Sequence, residues 1–210
     1  DIGWLNIDGR AHVAFPMVCF CDIPLSRVDD HVRFYGNFGI GLTKEWALSN
    51  GLMPLHYVAR NAQFTEALSE LTDIVEQSSD SSNGKKHLRS LISFMKPIDG
   101  VVPVGSDLIP KEFIQESEWR YIARNEGVDD YLSEDDYRSS DVIHNHNDVV
   151  SEACLLRFTP KDVKYIFVEK DSDIPVVINF INEKLDEHPS ADLKVLMSSV
   201  TSLESIEHDL

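Results

Sequence analysis

The chain has 210 residues, 42% hydrophobic and 9% aromatic, which suits one folded domain and excludes wholesale disorder. Ten glycines and nine prolines exclude collagen-like and low-complexity classes, and no apolar run approaches the ~20 residues that cross a bilayer. Thirty-six acids against nineteen bases give a net charge of −17, a field that repels phosphates, so neither direct nucleic-acid binding nor a membrane partner is expected.

In chain order, residues 17–22 read as a short buried strand closed by the turn at Ile23-Pro24. Residues 26–35 suit a helix capped by Ser26, with Val28, Val32 and Tyr35 on one face. A strand over 38–42 follows, then a short helix over 43–48 stopped by Asn50-Gly51, then a strand over 55–59. Helical spacing of Phe64, Leu68, Leu71 and Val75 marks 63–77, and Leu88, Leu91, Ile92 and Met95 mark 85–95. With the serine-rich linker 78–84 between them, residues 63–96 are expected to form a helical hairpin. Residues 118–123 alternate as a strand. From 129 to 148 seven acids face one arginine, which suits an acidic mobile loop. The remainder suggests strands over 154–158 and 163–168, a helix over 174–185, a strand over 194–197 and a terminal helix over 202–208. The expected class is therefore α+β in one domain spanning 1–210, with a mixed, mainly antiparallel sheet, a helical hairpin insertion and a C-terminal strand-helix-strand-helix segment.

The acids are unevenly spread. Residues 1–62 carry six acids and five bases, whereas 63–210 carry thirty and fourteen. The near-neutral first third, where glycines and aromatics gather, is the expected pocket-bearing region. The chain opens on Asp1 without an initiator methionine or a signal-peptide core, so a cytoplasmic protein whose natural start lies upstream is expected. Three cysteines make no disulfide framework. Cys19 and Cys21 could offer two zinc ligands, but Cys154 is far along the chain and small buried hydrophobes are the simpler assignment.

Four segments carry candidate chemistry. Asp22 directly follows the first strand and could bind a substrate or cap the following helix. His31, Tyr35 and Gly36 begin a block with Gly39 and Gly41 that could line a ligand site or simply fill a core. Glu118 and Arg120 share one strand face while Trp119 points the other way, into the core, giving either a structural ion pair or a catalytic carboxylate beside a cation. His144 and His146 have ligand-like spacing if extended, but no second ligand cluster accompanies them and no metal is expected. Glu118 is expected to be largely buried and paired, because an unpaired buried carboxylate is too costly. The bare glycine face of 36–41 is expected to pair near the Glu118 strand and to leave room for a ligand.

Residues 16–26, His31, Tyr35-Gly36, residues 39–46 and residues 116–120 together resemble the AbiGi-type abortive-infection proteins. The tail, 158–168 and 196–209, fits the same family. The resemblance implies an antitoxin-like component of bacterial phage defence with a cognate toxin protein as partner and no cofactor. The order of an apolar strand, a His/Tyr/Gly block and a late E-x-E-W-R strand is also similar to ADP-ribosyltransferase-like folds. That likeness would make Glu118 a catalytic acid with Arg120 beside it, and would place His31, Tyr35 and Tyr57 against NAD. A third option is that His31, Tyr35 and Glu118 form a buried polar network that only fixes the fold.

Overall fold

A computed structural model describes residues 2–5, 12–78 and 80–208. In chain order its strands are β1 (Val13–Ala14), β2 (Met17–Cys21), β3 (Gly39–Leu42), β4 (Met53–Pro54), β5 (His56–Val58), β6 (Met95–Pro97), β7 (Asp99–Val104), β8 (Asp107–Glu112), β9 (Glu118–Ile122), β10 (Leu132–Ser133), β11 (Val163–Val168) and β12 (Val200–Ser202). Its helices are α1 (Asp29–Tyr35), α2 (Lys44–Ser49), α3 (Ala62–Gln77), α4 (Ser81–Ile92), α5 (Glu134–Arg138), α6 (Ser140–Ala153), α7 (Ile174–Lys184), α8 (Ser190–Ser198) and α9 (Leu203–His208). The class is α+β. Five of the seven strand pairings among the described residues are antiparallel, in several small sheets rather than one mixed sheet. The chain packs as two compact units: Asp1–Asp22 with Leu52–Leu155, and Ile23–Gly51 with Leu156–Leu210. No helix among the described residues is long and apolar enough to cross a membrane.

The first unit is organised around β9, which pairs antiparallel with β2 on one side and with β4 on the other. The expected helical hairpin is present as α3 and α4. Leu68, Leu88 and Ile92 pack with Leu5 into a buried cluster, which Phe64 and Met95 cover. The linker is shorter than expected, because α4 begins at Ser81 and takes in Gly84, where a β-carbon would crowd Val75 of α3. Ser79 of that linker lies outside the described residues. The supposed acidic loop 129–148 is largely helical. Ser133 caps α5 by accepting from Asp136 N, and Glu134, Asp135 and Asp136 sit in its first turn, where the helix dipole favours them. Ile143, His146 and Val150 of α6 turn inward at helical spacing and are half-buried. On this helix His144 and His146 point apart, so the extended ligand spacing does not exist. Among the described residues no three metal-ligating side chains come together.

The second unit is a three-stranded sheet in the order β12-β11-β3, with β12 parallel and β3 antiparallel to β11. This corrects the expected pairing of the glycine strand with β9. The reason lies in the glycines themselves. A β-carbon on Gly39 would come within 2.3 Å of Phe167 ring atoms, and one on Gly41 within 2.4 Å of Tyr165 ring atoms. The bare strand face is filled by the aromatic side chains of β11, with no room left there for a ligand. Val28 and Leu203 complete the cluster around Phe167, and Ile181, Leu193 and Leu196 form a second one.

Three further expectations change in this unit. Residues 26–35 hold a 3-10 turn (Leu25–Arg27) before α1, and Ser26 does not cap the helix. The stretch 154–158 is not a strand: Trp46 of α2 donates its indole N–H to Arg157 O (2.9 Å) and meets Phe158 edge-on, holding the segment irregular. Residues 194–197 belong to α8, because Leu193, Leu196 and Met197 reach the core at helical spacing. The short apolar run fits both periods, and packing decides.

Gly41→Ala and Gly39→Ala are expected to destabilise the protein by about 1–3 kcal/mol each, as overpacking does. Urea denaturation of the two variants checks this; unchanged midpoints would contradict the close approach of the β11 rings.

Candidate functional site

β9 begins directly after a 3-10 turn (Phe113–Glu116), and Ser117 between them adopts a left-handed conformation at φ 45. A serine there carries a backbone strain of about 1–2 kcal/mol. Its neighbours explain the placement, for Glu116 and Glu118 are both buried, at 4% and 3% exposure.

The two carboxylates anchor a row of alternating charges. Lys111 of β8 pairs with Glu116 Oε1 at 2.6 Å. Lys96 of β6 lies at 2.6 Å from both Glu116 Oε2 and Glu118 Oε2, donating to each. Arg120 donates from Nε to Glu118 Oε1 (2.6 Å) and from Nη1 to Ser93 O (2.7 Å), just past the end of α4. Tyr57 of β5 accepts the backbone N–H of Glu118 (2.8 Å). Lys96 also lies over the Phe113 ring at 4.5 Å. Three cations and two anions therefore share one row. Each anion is held on both oxygens, and Lys96 bridges the two anions. Charge-assisted bonds of this kind are what allow ions to stay buried.

Burial pushes the Glu118 carboxyl up, but the hydrogen bond from Lys96 and the charges of Arg120 and Lys96 outweigh it and hold the group below the usual carboxylate range. Burial likewise pulls Lys96 down, and its bonds to Glu116 and Glu118 more than reverse this. On β2, Cys19 and Cys21 stand opposite Arg120 and Glu118. Desolvation of each sulfur, then the neighbouring glutamates, push the Cys19 thiol to about 11 and the Cys21 thiol to about 12, even though Cys19 as a whole residue keeps solvent contact. Such thiols stay protonated near neutrality and are poor nucleophiles and poor zinc ligands. Cys19 is exposed and Cys21 half-buried, where small buried hydrophobes were expected.

The candidate residues divide between the units. Glu118, Arg120 and Tyr57 come together in the first, and Asp22 lies at its edge, exposed, its backbone N–H bonded to Ser117 O (3.2 Å). His31, Tyr35 and Gly36 belong to the second. The rings of His31 and Tyr35 stack on α1 at 4.4 Å, as their spacing implied, and Gly36 closes the helix at φ 102. Tyr35 is 54% exposed, which removes it from any buried polar network. Trp119 is only half-buried; the face that faces inward is that of Glu118 and Ile122. Lys96, Lys111 and Glu116 were not singled out from the sequence. Only Glu116 carried a signal, in the E-x-E-W-R run.

Glu118→Gln leaves Lys96 and Arg120 short of a buried counter-charge and is expected to cost about 3–5 kcal/mol. Denaturant unfolding measures it, and a loss under 1 kcal/mol would contradict the charge row. The carboxyl of Glu118 is depressed in the folded state. Its contribution is therefore complete above the ordinary glutamate value of about 4.3 and is lost as pH falls below it. Melting curves of the wild type should fall more steeply over that acid range than those of Glu118→Gln. Alkylation of Cys19 and Cys21 in the native protein at pH 7.5 is expected to run at least about tenfold slower than after unfolding; mass mapping reads both rates.

Comparison with known proteins supplies a kinship. Residues 7–169 match the family model described as "Putative abortive phage resistance protein AbiGi, antitoxin". The Abortive phage resistance protein AbiGi of Lactococcus lactis subsp. cremoris is 31% identical over 225 aligned positions, covering 92% of this chain and 88% of that protein. No solved structure matches. The matched region includes β2, β3, β9 and every charged residue of the row, and the chain belongs to the AbiGi family of abortive phage resistance proteins.

Proposed function

We propose that this chain serves abortive-infection phage defence by binding a protein partner, in the manner of an antitoxin. The observation that carries this reading is the family match, whose description names an antitoxin. The site geometry supports it. A catalytic Glu118 would need an oxygen free to reach a substrate, yet Lys96 and Arg120 occupy both. The charge row serves instead to fix β9 against β6, β8 and the end of α4. A toxin protein is the partner, and the chain's own net charge of −17 favours one with a basic surface.

Co-expression with the adjacent gene tests the reading. The intact chain should relieve growth arrest caused by that gene's product and bind it in a pull-down from purified components. Absence of both relief and binding overturns it. Incubation with NAD addresses the ADP-ribosyltransferase-like alternative: nicotinamide release that is lost in Arg120→Lys, a variant that keeps the positive charge at that position and whose fold is checked by its melting curve, would favour the enzyme.

A further inference from the structure

The β7–β8 hairpin exposes apolar side chains that its own packing does not explain. Its loop is Gly105-Ser106, with Gly105 at φ 62 in the first loop position, as two-residue hairpin loops demand. Directly opposite residues on an antiparallel pair share a face. Val101 faces Pro110 and Pro103 faces Leu108, and all four are exposed, Val101 at 58% and Leu108 at 69%. One face of the hairpin is therefore a bare apolar strip.

Below the strip, Asp99 faces Glu112 across the same two strands. Like charges at directly opposed positions are unfavourable, and among the described residues neither carboxylate joins an ion pair. Glu112 accepts only the amide of Gln115 (2.6 Å). Asp99, Gly100, Val101, Pro110 and Glu112 line an open cleft of about 460 Å³ together with Arg60 and Lys111, the lysine being already paired with Glu116. Apolar strip and acid pair are thus one continuous surface.

From this arrangement we infer that the hairpin face is the docking surface for a protein partner that presents an apolar segment followed by a lysine or arginine. The apolar side chains cover Val101, Pro103, Leu108 and Pro110, and the cation sits over Asp99 and Glu112. The inference rests on the partner-binding reading above and names the surface and the chemistry that reading requires. Charge complementarity selects the occupant. A second copy of this chain would bring its own acid pair and a further −17 against this one. The prolines select the geometry. A two-residue loop makes Val104 and Asp107 a hydrogen-bonded pair, so residues 103 and 110 fall at positions whose N–H would point outward. Pro103 and Pro110 have no N–H, so each edge of the hairpin lacks a donor and resists an added strand. The partner therefore lies across the face.

The test uses the intact chain and the purified product of the adjacent gene. Val101→Ser with Leu108→Ser, and separately Asp99→Lys with Glu112→Lys, should each weaken binding about tenfold or more while the melting temperature holds. Asp141→Lys with Asp148→Lys makes the same charge change on α6 and should leave affinity unchanged. If the wild type does not bind, the partner reading falls and this inference with it. If the wild type binds and the hairpin variants bind equally, or the α6 variant weakens binding as much, the docking surface alone is overturned. Self-association of the wild type in ultracentrifugation that Val101→Ser with Leu108→Ser abolishes would place a second copy on the face and also overturn it.

Discussion

The first unit depends on keeping five charged side chains out of water together. Moving one ion inward costs several kcal/mol even after the surroundings relax, and a single pair rarely recovers that. Here the cost is met by sharing. Lys96 serves two carboxylates, each carboxylate serves two cations, and Arg120 turns a second donor to a backbone carbonyl. The arrangement tolerates no half measures, since any one deletion leaves a neighbour without compensation. It also sets the reactivity around it. The same low-polarity surroundings that strengthen the row keep the adjacent thiols protonated.

Such a row gives specificity of register more than net stability. Glu118 must meet Lys96 from β6 and Arg120 from its own strand. A one-residue slip of β9 would turn Glu118 and Arg120 to the opposite face. The left-handed Ser117 breaks the path of the chain between the two glutamates, so that the turn and the strand each deliver one carboxylate to the same lysine.

What the sequence disclosed and what it concealed follow from distance along the chain. Glu118 and Arg120 are two residues apart, and strand alternation alone puts them on one face. The caps and periods of α2, α3 and α7 are equally local. Lys96 and Lys111 lie up to 22 residues before Glu118 in segments without periodic character, and only the folded chain brings them to it. The second unit misled for another reason. Gly39 and Gly41 do mark a close approach, as glycines in a strand should, but a glycine cannot say what approaches, and aromatic rings from β11 do. Residues 129–148 look disordered by charge, yet acids in a first turn favour a helix start. The signal for the hairpin was Gly105-Ser106 between two short apolar runs, each interrupted by a proline.

The β3–β11 pairing joins residues 39–42 to residues 163–167, and β2–β9 joins residues 17–21 to residues 118–122. Both units are thus stitched from early and late segments of the chain. During synthesis the glycine strand must leave the ribosome and wait for more than a hundred further residues before Tyr165 and Phe167 arrive to cover it. Non-local closure of this kind slows folding and lengthens the time for which an uncovered strand edge is open to chaperones or to other nascent chains. A chain that lacks the β11 segment therefore leaves one edge of β3 without its antiparallel partner.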